Sequence, residues 1–303
     1  MEIPVITGPT GVGKTDISIY LSSKFDIEIL SADAFQVYKY MDIGTSKPDN
    51  EILSKYKHHL IDILEPDQFY SAGIFFEESE KILYDIITRL KLPLIVGGTG
   101  FYIETLVKGI FNDKPFDKDL RERLYKSGKV DGFKDLYNCL QNIDREYAVK
   151  ISPNDHMRIV RALEVYEKTG IPFSKAHKLL HKKPQFSYKV FIVNKERKLL
   201  YDDIDSRVDE MFEKGWVKEV ENLLKKGYNE SMHSFKAIGY RQIVDFLMGK
   251  YNIYALKDEI RKKTRNFAKR QLTYFKHLEF VTNVFDRALI AEYFDTYYRE
   301  YKF

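Results

Sequence analysis

The sequence predicts an α/β fold: a mostly parallel sheet flanked by helices and interrupted by an all-helical insertion. Three observations carry this reading. A short apolar run leads straight into a glycine-rich turn and then a helical pattern. Further strand-like runs alternate with helical ones up to residue 111. Residues 114–186 then read as helices joined by Gly, Asn and Pro turns, with no convincing strand before one resumes at 188–193. Alternation of this kind builds parallel sheets, because each crossover helix covers a sheet face.

The elements follow in order. Residues 3–7 read as a buried strand, and 16–21 carry apolar side chains at helical spacing. Residues 27–32 form a second strand with Asp33 at its end. A helix over 74–90 leads to a third strand over 92–96 and to the turn Gly97-Gly98-Thr99-Gly100. The expected organisation is a core in two parts, 1–113 and 187–303, with the helical insertion over 114–186 between them. In 257–278, Ile260, Phe267, Leu272, Phe275 and Leu278 fall on one helical face, with Arg265, Lys269 and Lys276 roughly opposite. That predicts a packed helix with a basic outer face.

Composition narrows the class. Hydrophobic residues at 44% and charged residues at 31% of 303 positions fit a soluble globular chain and exclude wholesale disorder. No apolar run approaches the roughly 18 residues that span a bilayer, and no signal-peptide pattern is visible at the start, so a cytoplasmic protein is expected. The lone Cys139 excludes an internal disulfide and a Cys-rich zinc site. The net charge is only +4, but residues 114–186 hold 16 Lys and Arg against 10 Asp and Glu. This segment suits a polyanionic partner, although an ordinary solvated helical surface accounts for it as well.

Gly8-Pro9-Thr10-Gly11-Val12-Gly13-Lys14-Thr15 matches the phosphate-loop pattern GxxxxGK[ST] in full. Glycines let successive backbone N–H groups converge on phosphate oxygens, Lys14 supplies a point charge, and the Thr15 hydroxyl suits Mg²⁺. The helix that follows adds its positive N-terminal end. A strand, this loop and a helix in sequence indicate a P-loop NTPase-like core. The strand over 92–96 ends in glycines rather than the aspartate that supports Mg²⁺ and water in ATP-hydrolysing enzymes, which argues against a motor.

Asp33 closes the second strand, so it and the phosphate loop should share one rim of the sheet. A carboxylate there can ligate Mg²⁺, accept a proton, or serve only as a structural acceptor. Thr99 lies on the same rim, as a substrate contact or a helix cap. The adjacent His58 and His59 cannot face the same way and lack further ligands at metal spacing, which favours structural hydrogen bonding.

Taken together, Gly8–Thr15 and Ser31-Ala32-Asp33-Ala34-Phe35-Gln36-Val37-Tyr38 resemble the bacterial tRNA dimethylallyltransferases, the tRNA isopentenyltransferase family. The resemblance continues through Asp42-Ile43-Gly44-Thr45-Ser46-Lys47-Pro48, His58-His59-Leu60-Ile61-Asp62 and Val96-Gly97-Gly98-Thr99-Gly100-Phe101-Tyr102. It extends through Arg158-Ile159-Val160-Arg161-Ala162-Leu163-Glu164-Val165, Ile238-Gly239-Tyr240-Arg241-Gln242 and Lys269-Arg270-Gln271-Leu272-Thr273-Tyr274, in the family's order across almost the whole chain.

The resemblance implies transfer of a dimethylallyl group from its diphosphate to N6 of adenosine 37, beside the tRNA anticodon, with Mg²⁺ and without ATP hydrolysis. It implies that Thr10, Gly11, Val12, Gly13, Lys14 and Thr15 hold the diphosphate, with Thr15 toward the metal, Gly8 and Pro9 completing the loop, and Arg207 as a further contact. It makes Asp33 and Thr99 catalytic, Asp33 orienting the adenine amine and taking its proton. The tRNA anticodon stem-loop would meet Asp33, Ala34, Phe35, Gln36 and Thr99, then Arg121, Met157, Arg158, Ile159, Val160 and Arg161, then Lys236, Ala237, Ile238, Gly239, Tyr240 and Arg241. Arg158 and Arg161 share a helix face, a spacing that serves an RNA strand or an intrahelical pair with Glu164 equally.

Ala34-Phe35, Met157 and Tyr274 depart from the family's commoner residues, and the eukaryotic zinc finger is absent. The partners expected are tRNA and dimethylallyl diphosphate, with no membrane and no obligate protein partner, the chain acting as a monomer. Competing readings are a P-loop small-molecule kinase with Asp33 as base, a prenyltransferase of free adenine nucleotides, and a non-enzymatic RNA-binding module.

Overall fold

The computed structural model describes residues 2–111, 117–284 and 287–300. The chain divides into two compact units, one from Met1–Val107 with Pro184–Phe303 and the other from Lys108–Lys183. The junction expected at 113/114 lies outside the described residues.

In chain order the first unit begins with β1 (Glu2–Thr7), α1 (Lys14–Ser22), β2 (Ile27–Ser31), α2 (Asn50–Lys55), β3 (His58–His59), α3 (Ala72–Thr88), β4 (Leu92–Val96) and α4 (Gly100–Lys108). The second unit holds β5 (Ile110–Phe111), α5 (Lys118–Asp131), α6 (Lys134–Ile143), α7 (Arg145–Ala148), α8 (His156–Thr169), α9 (Phe173–Leu179) and β6 (His181–Lys182). The first unit then resumes with β7 (Ser187–Val193), α10 (Arg197–Glu213), α11 (Trp216–Lys225), α12 (Tyr240–Leu247), α13 (Ile253–Lys276), β8 (Val281–Val284) and α14 (Arg287–Glu300).

Six strands form one parallel sheet in the order β3-β2-β4-β1-β7-β8. The register sets Val5 beside Ile95 on one side and Val190 on the other, and Ser31 beside Val96. Strands β1, β2 and β4 are almost wholly buried, as a sheet covered on both faces requires. Ile17 and Leu21 of α1, Leu200 and Ile204 of α10, Ala268 of α13, and Ile290 and Phe294 of α14 pack with Ile6, Ile29, Leu94 and Phe191 of the sheet in one core. A separate core in the second unit gathers Leu120, Leu124, Phe133, Leu140, Ile159, Val160 and Leu163.

Helix α3 starts two residues before the expected boundary, because the Ser71 hydroxyl caps it by accepting from the Ile74 N–H at 3.2 Å. It also ends earlier. Leu90 takes a left-handed φ of 58°, and Lys91 N–H turns back to the Ile86 carbonyl, which closes the last turn. Two expectations need correcting. The insertion was read as free of strands, yet β5 and β6 form a two-residue antiparallel ribbon at its ends. In α13 the buried stripe runs through Leu256, Ile260, Ala268, Gln271 and Phe275, while Phe267 and Leu272 are only half-buried. Arg265 does not face solvent alone; it pairs with Asp205 on α10. Ile260, Phe275 and Leu278 are buried as the periodicity predicts, but large apolar side chains trace the stripe only in part because its centre is a small residue and a glutamine.

Glu28 ties three elements together. Its carboxylate accepts from the Arg89 guanidinium, with one bond at 2.8 Å, and lies 2.7 Å from His59 Nε2 on β3. The Arg89 hydrogen bonds, assisted by His59, hold the Glu28 carboxyl down to about 2 despite burial that opposes ionisation. His58 bonds the Tyr56 carbonyl through Nδ1 at 2.8 Å, so both histidines have structural hydrogen bonds. Because the folded value lies below the ordinary 4.5, the stabilisation is complete above that pH and is lost as pH falls through about 2. Glu28→Gln should therefore lower unfolding free energy by on the order of 3 kcal/mol at pH 7. Urea melts between pH 7 and pH 2 should show the wild-type and variant midpoints converging at the acid end.

Candidate active site

Strands β1, β4 and β2 are adjacent and parallel, so their carboxyl ends share one rim. The loop 8–13, the segment beginning at Asp33 and the turn 97–99 all leave from it. In the loop, Gly11 and Gly13 adopt φ of 83° and 86°, a left-handed winding that favours glycine. Lys14 opens α1, and its Nζ donates to the Gly8 and Pro9 carbonyls at 2.9 Å each, drawing the loop closed over the side chain.

Two residues distant in sequence brace the loop. Gln271 of α13 accepts the Thr10 N–H at 2.9 Å and donates to the Gly98 carbonyl at 2.8 Å, joining the loop to the turn after β4. Arg207 of α10 reaches Thr10 Oγ1 at 3.4 Å. Its helix is held by neighbours on either side: Asp205 pairs with Arg265 at 2.6 Å, and Asp209 accepts from Arg261 at 2.6 and 2.7 Å and from Lys257 at 3.2 Å.

The Asp33 segment is equally constrained. Asp33 Oδ1 accepts from the Phe35 and Gln36 N–H groups at 2.9 and 3.3 Å, an Asx turn that leaves Oδ2 without a hydrogen bond among the described residues. The Thr99 hydroxyl accepts the Ala34 N–H at 3.0 Å, and the Thr99 N–H donates to Ala32 at 3.2 Å. Thr99 thus clamps the backbone on which Asp33 sits. Gln36 accepts from Ser31 at 3.0 Å and donates to the Thr45 and Ser46 carbonyls at 3.3 and 3.2 Å.

Burial dominates the electrostatics. It pushes the Asp33 carboxyl above the usual carboxylate range, against the opposing pull of its two backbone N–H bonds and the charges of Lys14 and Arg207. Burial lowers Lys14 to about 7, with repulsion from Arg207 adding to the effect and Asp33 opposing it. Arg207 is lowered by burial too, but a guanidinium stays charged throughout the physiological range. The rim therefore combines two cations short of counter-charge with a carboxylate that holds a proton more readily than a surface one.

The IPP transferase family pattern matches residues 36–278. The chain is 42% identical over 277 residues to the tRNA dimethylallyltransferase of Thermotoga petrophila, covering 91% of this chain and 90% of that protein. It is 43% identical over 285 residues to that of Caldanaerobacter subterraneus subsp. tengcongensis, covering 93% and 90%. The chain belongs to the IPP transferase family. The full-length tRNA isopentenylpyrophosphate transferase of Bacillus halodurans superposes with a TM-score of 0.72 at 32% identity, covering 99% of this chain and 98% of that one. A eukaryotic dimethylallyltransferase acting on tRNA superposes with a TM-score of 0.80 at 27% identity, covering 95% and 75%.

Within this IPP transferase, the fold brings Asp33, Thr99, Lys14, Thr15 and Arg207 to the sheet rim. Lys236, Ala237, Ile238 and Arg241 line a cleft of about 360 Å³ shared with Lys263 and Arg270. Lys236 and Arg241 are exposed there, and among the described residues neither pairs with a carboxylate. In the second unit Met157 and Arg158 are exposed, although Arg158 lies 3.3 Å from Asp155.

Several residues expected to meet tRNA have side chains committed elsewhere. Ile159 and Val160 lie in the core of the second unit, so their side chains support α8 rather than offer a surface. Ala237 and Tyr240 likewise turn their side chains inward. Arg121 and Arg161 both bond Glu164, which is 0% exposed; the intrahelical pair anticipated for Arg161 is formed at 3.1 Å, and Arg121 Nε joins it at 3.0 Å. Their first task is to neutralise a buried carboxylate and hold α5 against α8.

Gln271 lies within one of the family-like blocks yet has no role legible in the sequence, because a glutamine in a basic helix carries no signal of its inward direction. Only the stripe through Ala268 and Phe275 could have indicated it. Gln271→Ala should leave the Thr10 N–H and the Gly98 carbonyl unpaired, a cost of about 1–3 kcal/mol. Urea melts should show the unfolding free energy lowered by that amount while the fold, followed by circular dichroism, persists.

Proposed function

We propose that this chain transfers the dimethylallyl group of dimethylallyl diphosphate to N6 of adenosine 37 in the tRNA anticodon loop, releasing diphosphate. The reading is carried by one observation: a phosphate loop with two poorly compensated cations stands on the same rim as a carboxylate of raised proton affinity. The attacking atom is the exocyclic nitrogen. Its lone pair forms the bond to C1 of the prenyl group, the C1–O bond breaks, and the electron pair leaves with the diphosphate. Lys14, Arg207 and the loop N–H groups stabilise the charge growing on that leaving group.

The N6 proton passes to Asp33. Oδ1 is occupied by backbone donors, so Oδ2 is the oxygen that holds the amine and accepts its proton. The residues fit Mg²⁺, a hard cation that prefers oxygen: the Thr15 hydroxyl at the head of α1 has no hydrogen bond among the described residues. When bound, Mg²⁺ adds positive charge against the diphosphate. Lys236, Arg241, Lys263 and Arg270 around the cleft and Arg158 on α8 suit RNA phosphates. That attraction offsets the few kcal/mol needed to unstack the adenine. Among the described residues no helix is long and apolar enough to cross a membrane.

The deciding assay supplies labelled dimethylallyl diphosphate and Mg²⁺ with unmodified tRNA or with AMP. Label should enter tRNA at position 37; label entering AMP alone refutes the reading. Asp33→Asn keeps the size and one acceptor but cannot take the proton, so turnover should fall about 10²–10⁴-fold while tRNA affinity stays within about two-fold. The acid limb of the wild-type pH profile should lie above the ordinary carboxylate range and vanish in this variant. Donor affinity should weaken as pH rises through about 7, where free Lys14 loses its charge.

Phosphate contacts also predict salt dependence. The tRNA dissociation constant should change by about 0.7–0.9 log units per log unit of salt for each phosphate engaged. Arg158→Ala should reduce that slope by about one contact. A slope unchanged by the substitution would remove Arg158 from the interface.

A further inference from the structure

Glu219, on α11, belongs to none of the motifs that first indicated function. Its carboxylate accepts four hydrogen bonds. Oε2 takes the Asp42 and Ile43 N–H groups at 2.8 and 2.7 Å, and Oε1 takes the Gly44 N–H at 3.2 Å and the Tyr240 hydroxyl at 2.7 Å. Three consecutive backbone donors and a phenol fill a carboxylate's acceptor capacity with charge-assisted bonds. Burial and the adjacent Glu219 raise Tyr240 well above its ordinary range, so it stays a neutral donor.

The donors come from two different stretches of chain. The turn 42–44 runs into Thr45 and Ser46, whose carbonyls hold Gln36 in the Asp33 segment. Tyr240 opens α12 directly after the 236–239 stretch that borders the cationic cleft. Trp216, one helical turn before Glu219, fills the seam. A Cβ on Gly44 would fall 2.2 Å from its indole nitrogen, and one on Gly239 2.0 Å from the far edge of its ring. Each segment closes onto the same indole at a glycine.

We propose that Glu219 is a positioning residue that holds the 33–36 and 236–241 segments in register for tRNA, acting through the turn 42–44 and Tyr240. The proposal rests on the tRNA reading above. It assigns Glu219 an effect on the RNA substrate that does not extend to the prenyl donor, because the loop 8–13, Lys14 and Arg207 are braced separately through Gln271 and the α10–α13 ion pairs.

Glu219→Gln is the discriminating variant because it keeps the shape of the side chain. With its NH₂ at the Oε2 position the amide faces the Asp42 and Ile43 N–H groups. At the Oε1 position the Tyr240 hydroxyl can turn to accept from it, but the Gly44 N–H still meets a donor, so at least one backbone bond is lost and the others lose their charge assistance. The KM for tRNA should rise about ten-fold and the KM for dimethylallyl diphosphate should change less than about two-fold. Tyr240→Phe removes a single bond and should raise the tRNA KM by about three-fold, also without moving the donor KM. Trp216 is the sole tryptophan, so its emission reports the seam and should shift to longer wavelength in Glu219→Gln.

Wild-type protein that fails to prenylate tRNA overturns the parent reading. With active wild-type protein, the proposal fails if Glu219→Gln keeps its tRNA KM within two-fold, or if both KM values rise together as general loosening requires. Should Glu219→Gln not fold, Tyr240→Phe decides: an unchanged tRNA KM refutes the proposal and a selective rise supports it.

Discussion

The parallel register of β2, β4 and β1 is the constraint on which the rest of the site depends. With Ser31 beside Val96 and Ile6 beside Val96, the loop after each strand emerges at the same height on the same edge. A one-residue slip in any pair would exchange the side chains that pack under the two covering layers and displace the loop that follows by one residue. The hydrophobic pattern that fills the core therefore also fixes how the phosphate loop, Asp33 and Thr99 face one another. Hydrogen bonds complete what the register begins. Thr99 holds the Ala34 backbone, and Gln271 holds Thr10 to the turn at Gly98, so all three loops are cross-linked by side chains.

The same burial acts on the two charges in opposite directions, and both serve the proposed reaction. Asp33 loses water and becomes harder to ionise, which strengthens it as a proton acceptor. Lys14 loses water and becomes easier to deprotonate, but a diphosphate arriving beside it restores the preference for the charged form. The cationic group is thus left under-compensated until an anionic ligand binds. Its hydrogen bonds to Gly8 and Pro9 are both to neutral carbonyls, so a ligand need not break an ion pair to reach it.

Much of this was legible in the sequence, and the remainder divides by physical cause. The phosphate loop and the strands at 3–7, 27–32 and 92–96 were readable because contiguous apolar runs and glycine spacing are local signals. Strands β3 and β8 were not, since two to four residues carry no period; they exist because a neighbouring strand offers an edge. The helix face of α13 was legible only in part, because a glutamine and an alanine occupy its centre. Asp33 was legible from its position after a strand, whereas its Asx turn and raised proton affinity depend on contacts made only in the folded chain. Glu164 was legible only as a possible partner of Arg161, not as a buried carboxylate that also gathers Arg121, and Glu219 was silent, because nothing local distinguishes a glutamate that faces solvent from one that gathers arginines or backbone amides.

That distinction bears on how basic segments are read. The surplus of positive charge over 114–186 suggested an RNA surface, yet part of it serves internal neutralisation. Arg121 and Arg161 balance Glu164, a carboxylate that is 0% exposed and whose burial would otherwise cost several kcal/mol. Arg123 pairs with Glu167 and Lys150 with Glu146 on the surface, where such pairs contribute little to stability and remain exchangeable. An RNA phosphate can displace a surface carboxylate at small cost, but it cannot displace Glu164 without leaving a buried charge unpaired. The electrostatic surface offered to a polyanion is therefore set less by net charge than by which cations have partners that can be given up. On α8, Arg158 meets that condition, because its partner Asp155 is only half-buried and also caps the helix by accepting the Arg158 N–H, a bond that remains when the guanidinium leaves.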